Sequence, residues 1–204
     1  MSSEVDICNM ALGHLAVSSE INALTERSKQ AQACRRYYEA TRDEVLRAFA
    51  WPAQKVTEAL AVVEEFESDE NDWAFSYRYP ADAIMVHRLL TPGAGRRESV
   101  ATRVPYLIGR DSAGKLIYTD LVDAFVEYTY KETNPEKFDP DFVEALSFKL
   151  AHKMGPQLAG GDQFKLAARA FQHYQVALAE ARGNALNEEQ AEEGPDSTFV
   201  EARS

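Results

Sequence analysis

Apolar positions return at three- and four-residue spacing near both ends of the chain and at two-residue spacing through its middle. Those are the periods of a helix facing a core and of a half-buried strand. Val5, Cys8, Leu12 and Leu15 predict a first helix over residues 3–16, with Ser2 or Ser3 as its cap and Gly13 weakening its last turn. The loop VSSEINALTERS follows. Ala31, Cys34, Tyr38, Val45 and Phe49 then predict a long second helix, capped by Ser28 and ended near Trp51 by Pro52. A short helical piece is expected over residues 54–63.

Residues 73–133 change period. WAFSYRY alternates Trp73, Phe75, Tyr77 and Tyr79 and stops at Pro80, as a strand does. AIMVHRLL is a second strand candidate, and Pro92, Gly93 and Gly95 supply a turn after it. RVPYLIG and KLIYTD read as a hairpin, with Pro105 favouring an edge, and AFVEYTYKET reads as a last strand. The helical period resumes at Pro140 with Phe142, Leu146, Leu150 and Met154, and a break is expected at Gly155-Pro156 and Gly160-Gly161. Asp162 can cap a final helix whose seam is Phe164, Ala167, Phe171, Tyr174, Leu178 and Ala181, with a stop at Gly183-Asn184.

The expected fold is therefore α+β: an antiparallel helical bundle, an inserted small antiparallel sheet or sandwich, and an extended acidic C-terminal tail. Its parts are a first bundle segment over 1–63, an acidic linker over 64–72, and a β insertion over 73–133. A second bundle segment over 134–184 and a flexible tail over 185–204 complete it.

Charge narrows the partners. The net charge of −11 argues against gripping DNA through its phosphates, because that needs a basic surface. An acidic channel wall past which DNA slides is compatible with it. No apolar run approaches the roughly 20 residues that cross a bilayer, and Glu4 and Asp6 stand where a signal peptide carries positive charge. A soluble protein made in the cytosol, with no membrane partner, is expected. Cys8 and Cys34 fall on apolar helix faces and read as small buried hydrophobes, although a disulfide between the first two helices is conceivable.

Chemistry is sparse. His14, His87, His152 and His173 lie in different elements without metal-like spacing, and there is no GxSxG elbow or Walker loop. Gly93-Ala94-Gly95 lacks the third glycine and following helix of a dinucleotide site. The acids cluster in solvated runs such as EEFESDEND, which also lacks the central glycine of a calcium loop. No catalytic, metal or cofactor residue is assigned, and enzymatic activity is not expected. Arg96 and Arg97 sit at a predicted hairpin tip, and Arg35, Arg36, Arg42 and Arg47 lie on the second helix. They are ordinary surface charge, internal ion pairs, or, for Arg96 and Arg97, contacts to acids of a neighbouring copy. In the tail, Phe199 and Val200 are an apolar pair with no local core: an incidental Phe in a solvated tail, or a segment that orders on a partner.

Several stretches recur in the order found in the head-to-tail adaptors of short-tailed phages, the tail tubular protein A family. These are ICNMALGHL, AxxC with Tyr37-Tyr38, RDEVLRAFAW, WAFSYRYPADAIMV, FVEYTYKET and FDPDFVEALSFKLAHKM, which together span most of residues 5–180. Each is a packing pattern; it is their shared order that resembles the family. The sequence departs at Pro52-Ala53, where members often carry an apolar residue after the Trp.

The resemblance implies a structural virion protein at the head–tail junction, assembled in the host cytoplasm. It implies a self-associated ring, a dodecamer, beneath the portal protein, which extends the DNA channel and serves as platform for the tail nozzle. It also implies a C-terminal segment that reaches onto the portal, which makes Phe199 and Val200 its candidate anchors. Two other readings stay open: a virion-associated hydrolase using a carboxylate pair, and a monomeric helical binding module.

Overall fold

The computed structural model describes residues 2–66, 72–92, 103–158 and 163–188. The first helix, α1 (Glu4–His14), opens with a capping box: the Ser3 hydroxyl accepts from the Asp6 amide while Asp6 accepts from the Ser3 amide. It stops two residues short of the expected end, because Ala16 adopts φ 54° and the amide of Val17 closes back on the carbonyl of Leu12. Asn9 pins the following loop by bonding both the amide and the carbonyl of Ile21. Ser28 caps α2 (Lys29–Ala48), as expected.

Pro52 begins a single 3-10 turn, and the chain then turns to strand, not to the helix expected over 54–63. Strands β1 (Lys55–Ala59) and β2 (Val62–Glu65) occupy that stretch, so the β region starts near residue 55 and takes in Glu64 and Glu65 of the expected linker. Val56, Thr57, Val62 and Val63 are β-branched, and ladders to β7 and β3 satisfy their backbones better than an isolated short helix. The other strands are β3 (Phe75–Arg78), β4 (Ala83–Leu90), β5 (Leu107–Arg110), β6 (Lys115–Thr119) and β7 (Phe125–Tyr130).

Every pairing is antiparallel, in a three-stranded sheet ordered β1-β7-β4 and a four-stranded sheet ordered β2-β3-β6-β5. The chain passes from one sheet to the other at Leu60-Ala61. Tyr77 and Ile117 from the larger sheet meet Val86, Leu89, Val126 and Tyr128 from the smaller, which makes a small sandwich with its own core.

The bundle encloses a second core. Helix α3 (Pro140–Leu158) lies at its centre and packs against α1, α2 and α4 (Gln163–Glu188). It runs through Pro156 where a break was expected. Gly155 holds that end against α4: a Cβ there would stand 2.6 Å from the Cβ of Ala167, so only glycine permits the approach. The seam of α4 is partly the expected one: Ala167, Tyr174 and Ala181 are on its buried line, and the Phe164 side chain lies outside the described residues. Ala167, Ala170, Tyr174, Ala177, Ala181 and Ala185 are buried, while Phe171 and Leu178 pack half-buried on the flank. Alanine on the inner line lets the two helices close up, and the larger groups cover the side of the contact.

Helix α4 also continues past Gly183-Asn184. Ala185 is buried, Asn184 donates to Asp141 at 2.8 Å, and Arg182 donates to the carbonyl of Ala48 at 3.0 Å, so tertiary contacts override the stop signal. The boundary expected at residue 184 moves to at least 188.

Candidate functional site

Arg96, Arg97, Phe199 and Val200 lie outside the described residues. The arginines of α2 are within them and divide. Arg42 is buried and bonds Asp43; Arg35 donates to the carbonyl of Leu24; Arg36 stacks beside Tyr37; Arg47 is exposed. The internal-pair reading is therefore right for Arg42.

The most enzyme-like arrangement is a histidine and a serine at a cavity of about 530 Å³ between α1 and α3, lined by Met10, His14, Phe138, Glu144 and Ser147 among others. The His14 Nε2 stands 3.0 Å from the Ser147 hydroxyl, the spacing of a base and a nucleophile. Hydrogen-bond direction argues otherwise. The Ser147 hydroxyl donates to the carbonyl of Glu144 at 2.8 Å, one helical turn back, so it accepts from an Nε2–H of His14. With a hydrogen on Nε2, the imidazole has no lone pair facing Ser147 with which to take the serine proton. His14 also stacks on Phe148 at 4.0 Å, and Phe148 on His173 at 5.2 Å, which makes a ring ladder tying α1, α3 and α4. This constellation positions helices.

Burial holds the His14 imidazole below the ordinary value of 6.5, with His173 adding to the shift. His87 shifts the same way, first through burial, with Glu127 opposing and Lys55 and Arg88 assisting; its Nε2 sits 2.8 Å from the Thr129 hydroxyl. A group that binds its proton less well when folded stabilises the fold above its unfolded pKa and loses that contribution as the pH falls through it. Melting temperature is therefore expected to fall as the pH drops from above the ordinary histidine value of 6.5 to below it. A double H14Q/H87Q variant should flatten that limb, and an unchanged slope would remove the histidines as its cause.

The carboxylates have one notable grouping. Asp139 and Asp141, at the start of α3, and Glu188, at the end of α4, line a cavity of about 470 Å³ with Phe49, Trp51 and Pro52. Burial raises the Asp139 pKa, and Glu188 and Asp141 raise it further. Asp141 is held by Asn184, and acids at a helix N-terminus are also what the helix dipole favours. Several other acids are tied to cations: Arg88 to Glu127 at 3.1 Å, Arg78 to Asp111, and Lys137 to Glu132. The Arg78 guanidinium, with the amides of Gly114 and Ala113, brings Asp111 down to about 2. Among the described residues no group of three or more His, Cys, Asp or Glu could hold a metal ion. Cys8 and Cys34 are both buried; the Cys8 thiol is pushed up by its hydrogen bond to Cys34 and by burial, and Cys34 contacts Met154 at 3.7 Å.

Exposed apolar side chains collect instead on the larger sheet. Val62 and Val63 on β2 and Leu107 and Ile108 on β5 are each more than 40% exposed. Among the described residues these two strands are its outer edges. Reading residues 54–72 as helix and linker hides the first edge; the β-branched content of KVTEALAVVEE was the available signal. No protein-family model matches the chain, and no curated protein sequence matches it.

Proposed function

We propose that the chain is a structural subunit of a ring at the head–tail junction of a short-tailed phage. It sits between the portal protein and the tail nozzle and extends the channel through which DNA passes without specific binding. One observation supports this reading above the rest: the stretches that resemble the adaptor family build one two-part architecture in order. ICNMALGHL forms α1, and RDEVLRAFAW ends α2 on the buried Trp51. WAFSYRYPADAIMV and FVEYTYKET supply β3, β4 and β7, and FDPDFVEALSFKLAHKM forms the central α3. The bundle interrupted by a sandwich is the architecture that the resemblance implies.

In this reading Arg96 and Arg97 meet acids of the adjacent copy, and Phe199 and Val200 anchor the tail on the portal. A binding segment that orders on its partner trades affinity for timing, which suits a protein added after packaging. The test is co-purification with the candidate portal protein, followed by electron microscopy of the complex. The expected image is a ring of this chain on one end of the portal, and failure to associate at high concentration sinks the reading. Because Ala185 is part of the core, truncation must begin after Glu188. Deleting residues 189–204 is expected to leave the melting temperature nearly unchanged and to weaken portal binding by about tenfold or more, the loss of one or two apolar anchors. Unchanged binding removes the tail from the interface.

A further inference from the structure

We infer that copies of this chain join edge to edge through the larger sheet, β2 of one copy adding to β5 of the next as an antiparallel strand. The inference rests on the ring reading and specifies which surfaces meet.

Strand direction allows it. Among the described residues the sheet has four strands, each antiparallel to its neighbour, so its two outer strands run in opposite directions. When a second copy is placed beside the first in the same orientation, its β2 meets β5 of the first running the opposite way. The alternation continues across the junction without a break. An odd number of strands would instead force a parallel junction, which is less stable per residue. The contact is heterologous, β2 against β5, and such contacts generate rings when the rotation closes.

Side chains point to the same pairing. All four residues of β2 are exposed, as are Leu107, Ile108 and Arg110 of β5. A lone folded chain usually blunts such edges, because unpaired backbone and apolar side chains recruit other strands. Here the charge is of opposite sign on the two edges. Glu64 and Glu65 stand on β2 and make no ion pair among the described residues. On the other edge, Arg110 lies directly opposite Lys115 in the ladder, with exposed Arg103 just before the strand.

Two like charges facing each other across a ladder are unfavourable in the isolated chain, and an acidic strand alongside would relieve them. The neighbouring Asp111 does not cancel them, since its oxygens are taken up by Arg78 at 3.0 and 2.8 Å and by the amides of Ala113 and Gly114. The acids also set the direction of assembly: β2 against a second β2 would bring four glutamates together, whereas β2 against β5 pairs acid with base.

The experiment is sedimentation velocity of the full chain at rising concentration in low salt, for wild type, E64K/E65K, R110E, and an equal mixture of the two variants. Each variant alone is expected to self-associate at least about tenfold more weakly than wild type, the effect of like charges juxtaposed at an edge. The mixture should recover wild-type assembly, because every junction between unlike copies again joins opposite charges. Wild-type rings that persist unchanged in both variants overturn the edge pairing and leave the ring reading intact. A wild-type chain that stays monomeric both alone and with the portal protein overturns both. Should either variant lose its fold by circular dichroism, hydrogen exchange on wild type decides. Amides of residues 62–65 and 107–110 both gaining protection as copies associate, alone or on the portal protein, support the pairing; association with no gain at these two edges overturns it.

Discussion

Replacing Trp51 by alanine is expected to destabilise the fold by about 4 kcal/mol, within the range measured for large aromatic truncations in a core. Its side chain is 1% exposed and stands where α2 has just ended and the chain turns toward the sandwich. The ring meets Phe49 at 5.2 Å and Phe142 at 5.0 Å, both edge-on, and Phe142 meets Phe138 at 4.6 Å. One side chain thus fastens the end of α2 to the start of α3 across the point where the β insertion leaves the bundle. Its indole N–H donates to the Val45 carbonyl at 2.8 Å. A W51F variant separates the two contributions: it keeps most of the packing, loses the donor, and should cost only about 1–2 kcal/mol. In a chain of this size the alanine variant should lower the melting temperature by roughly 8–16 °C. Urea unfolding of the three proteins checks this. A W51A chain within about 1 kcal/mol of wild type would mean the cluster is not the hinge of the fold.

What the sequence reveals here depends on how local each signal is. Ser3, Ser28 and Pro52 act within a few residues of themselves, and the helix starts and the end of α2 are read correctly from them. Gly155-Pro156 and Gly183-Asn184 are equally good local stop signals, yet both helices run on. Ala167 packed on Gly155, and Arg182 reaching the carbonyl of Ala48, are contacts between segments far apart in the chain. The same asymmetry misplaces β1 and β2, whose short alternation is decided by partners about 70 and about 12 residues away. The inner line of α4 is only partly legible for a related reason: Ala167, Tyr174 and Ala181 are on it as expected, Phe171 and Leu178 only flank it. Periodicity favours the largest apolar residues, Phe171 and Leu178, whereas the close approach to α3 selects alanine. At the candidate site, His14 and Ser147 are 133 residues apart, so no spacing rule could have joined them, and the charged edges of the larger sheet emerge only once strand order is known.

Asp43→Ala is the second substitution expected to be costly, at about 3 kcal/mol, the lower end for breaking a buried ion pair by removing one partner. Arg42 is 3% exposed, and both its Nε and its Nη2 donate to one oxygen of Asp43, at 3.0 and 2.8 Å. The other oxygen accepts from Lys131 at 2.7 Å, just beyond the end of β7. Asp43 therefore neutralises a buried cation on α2 and ties that helix to the base of the sandwich. Its own side chain is 32% exposed, so water partly offsets its loss, which places the cost at the low end. Lys131→Ala removes an exposed partner and should cost under about 1 kcal/mol, as surface pairs do. The informative variant is R42M/D43A. If the cost of D43A is the stranded guanidinium, replacing Arg42 by an apolar side chain of similar length removes the stranded charge, and the double variant should be more stable than D43A alone. A double variant that is less stable than D43A would show that Arg42 contributes mainly through its packed stem. A D43A chain no weaker than K131A would show that Arg42 does not depend on Asp43 at all.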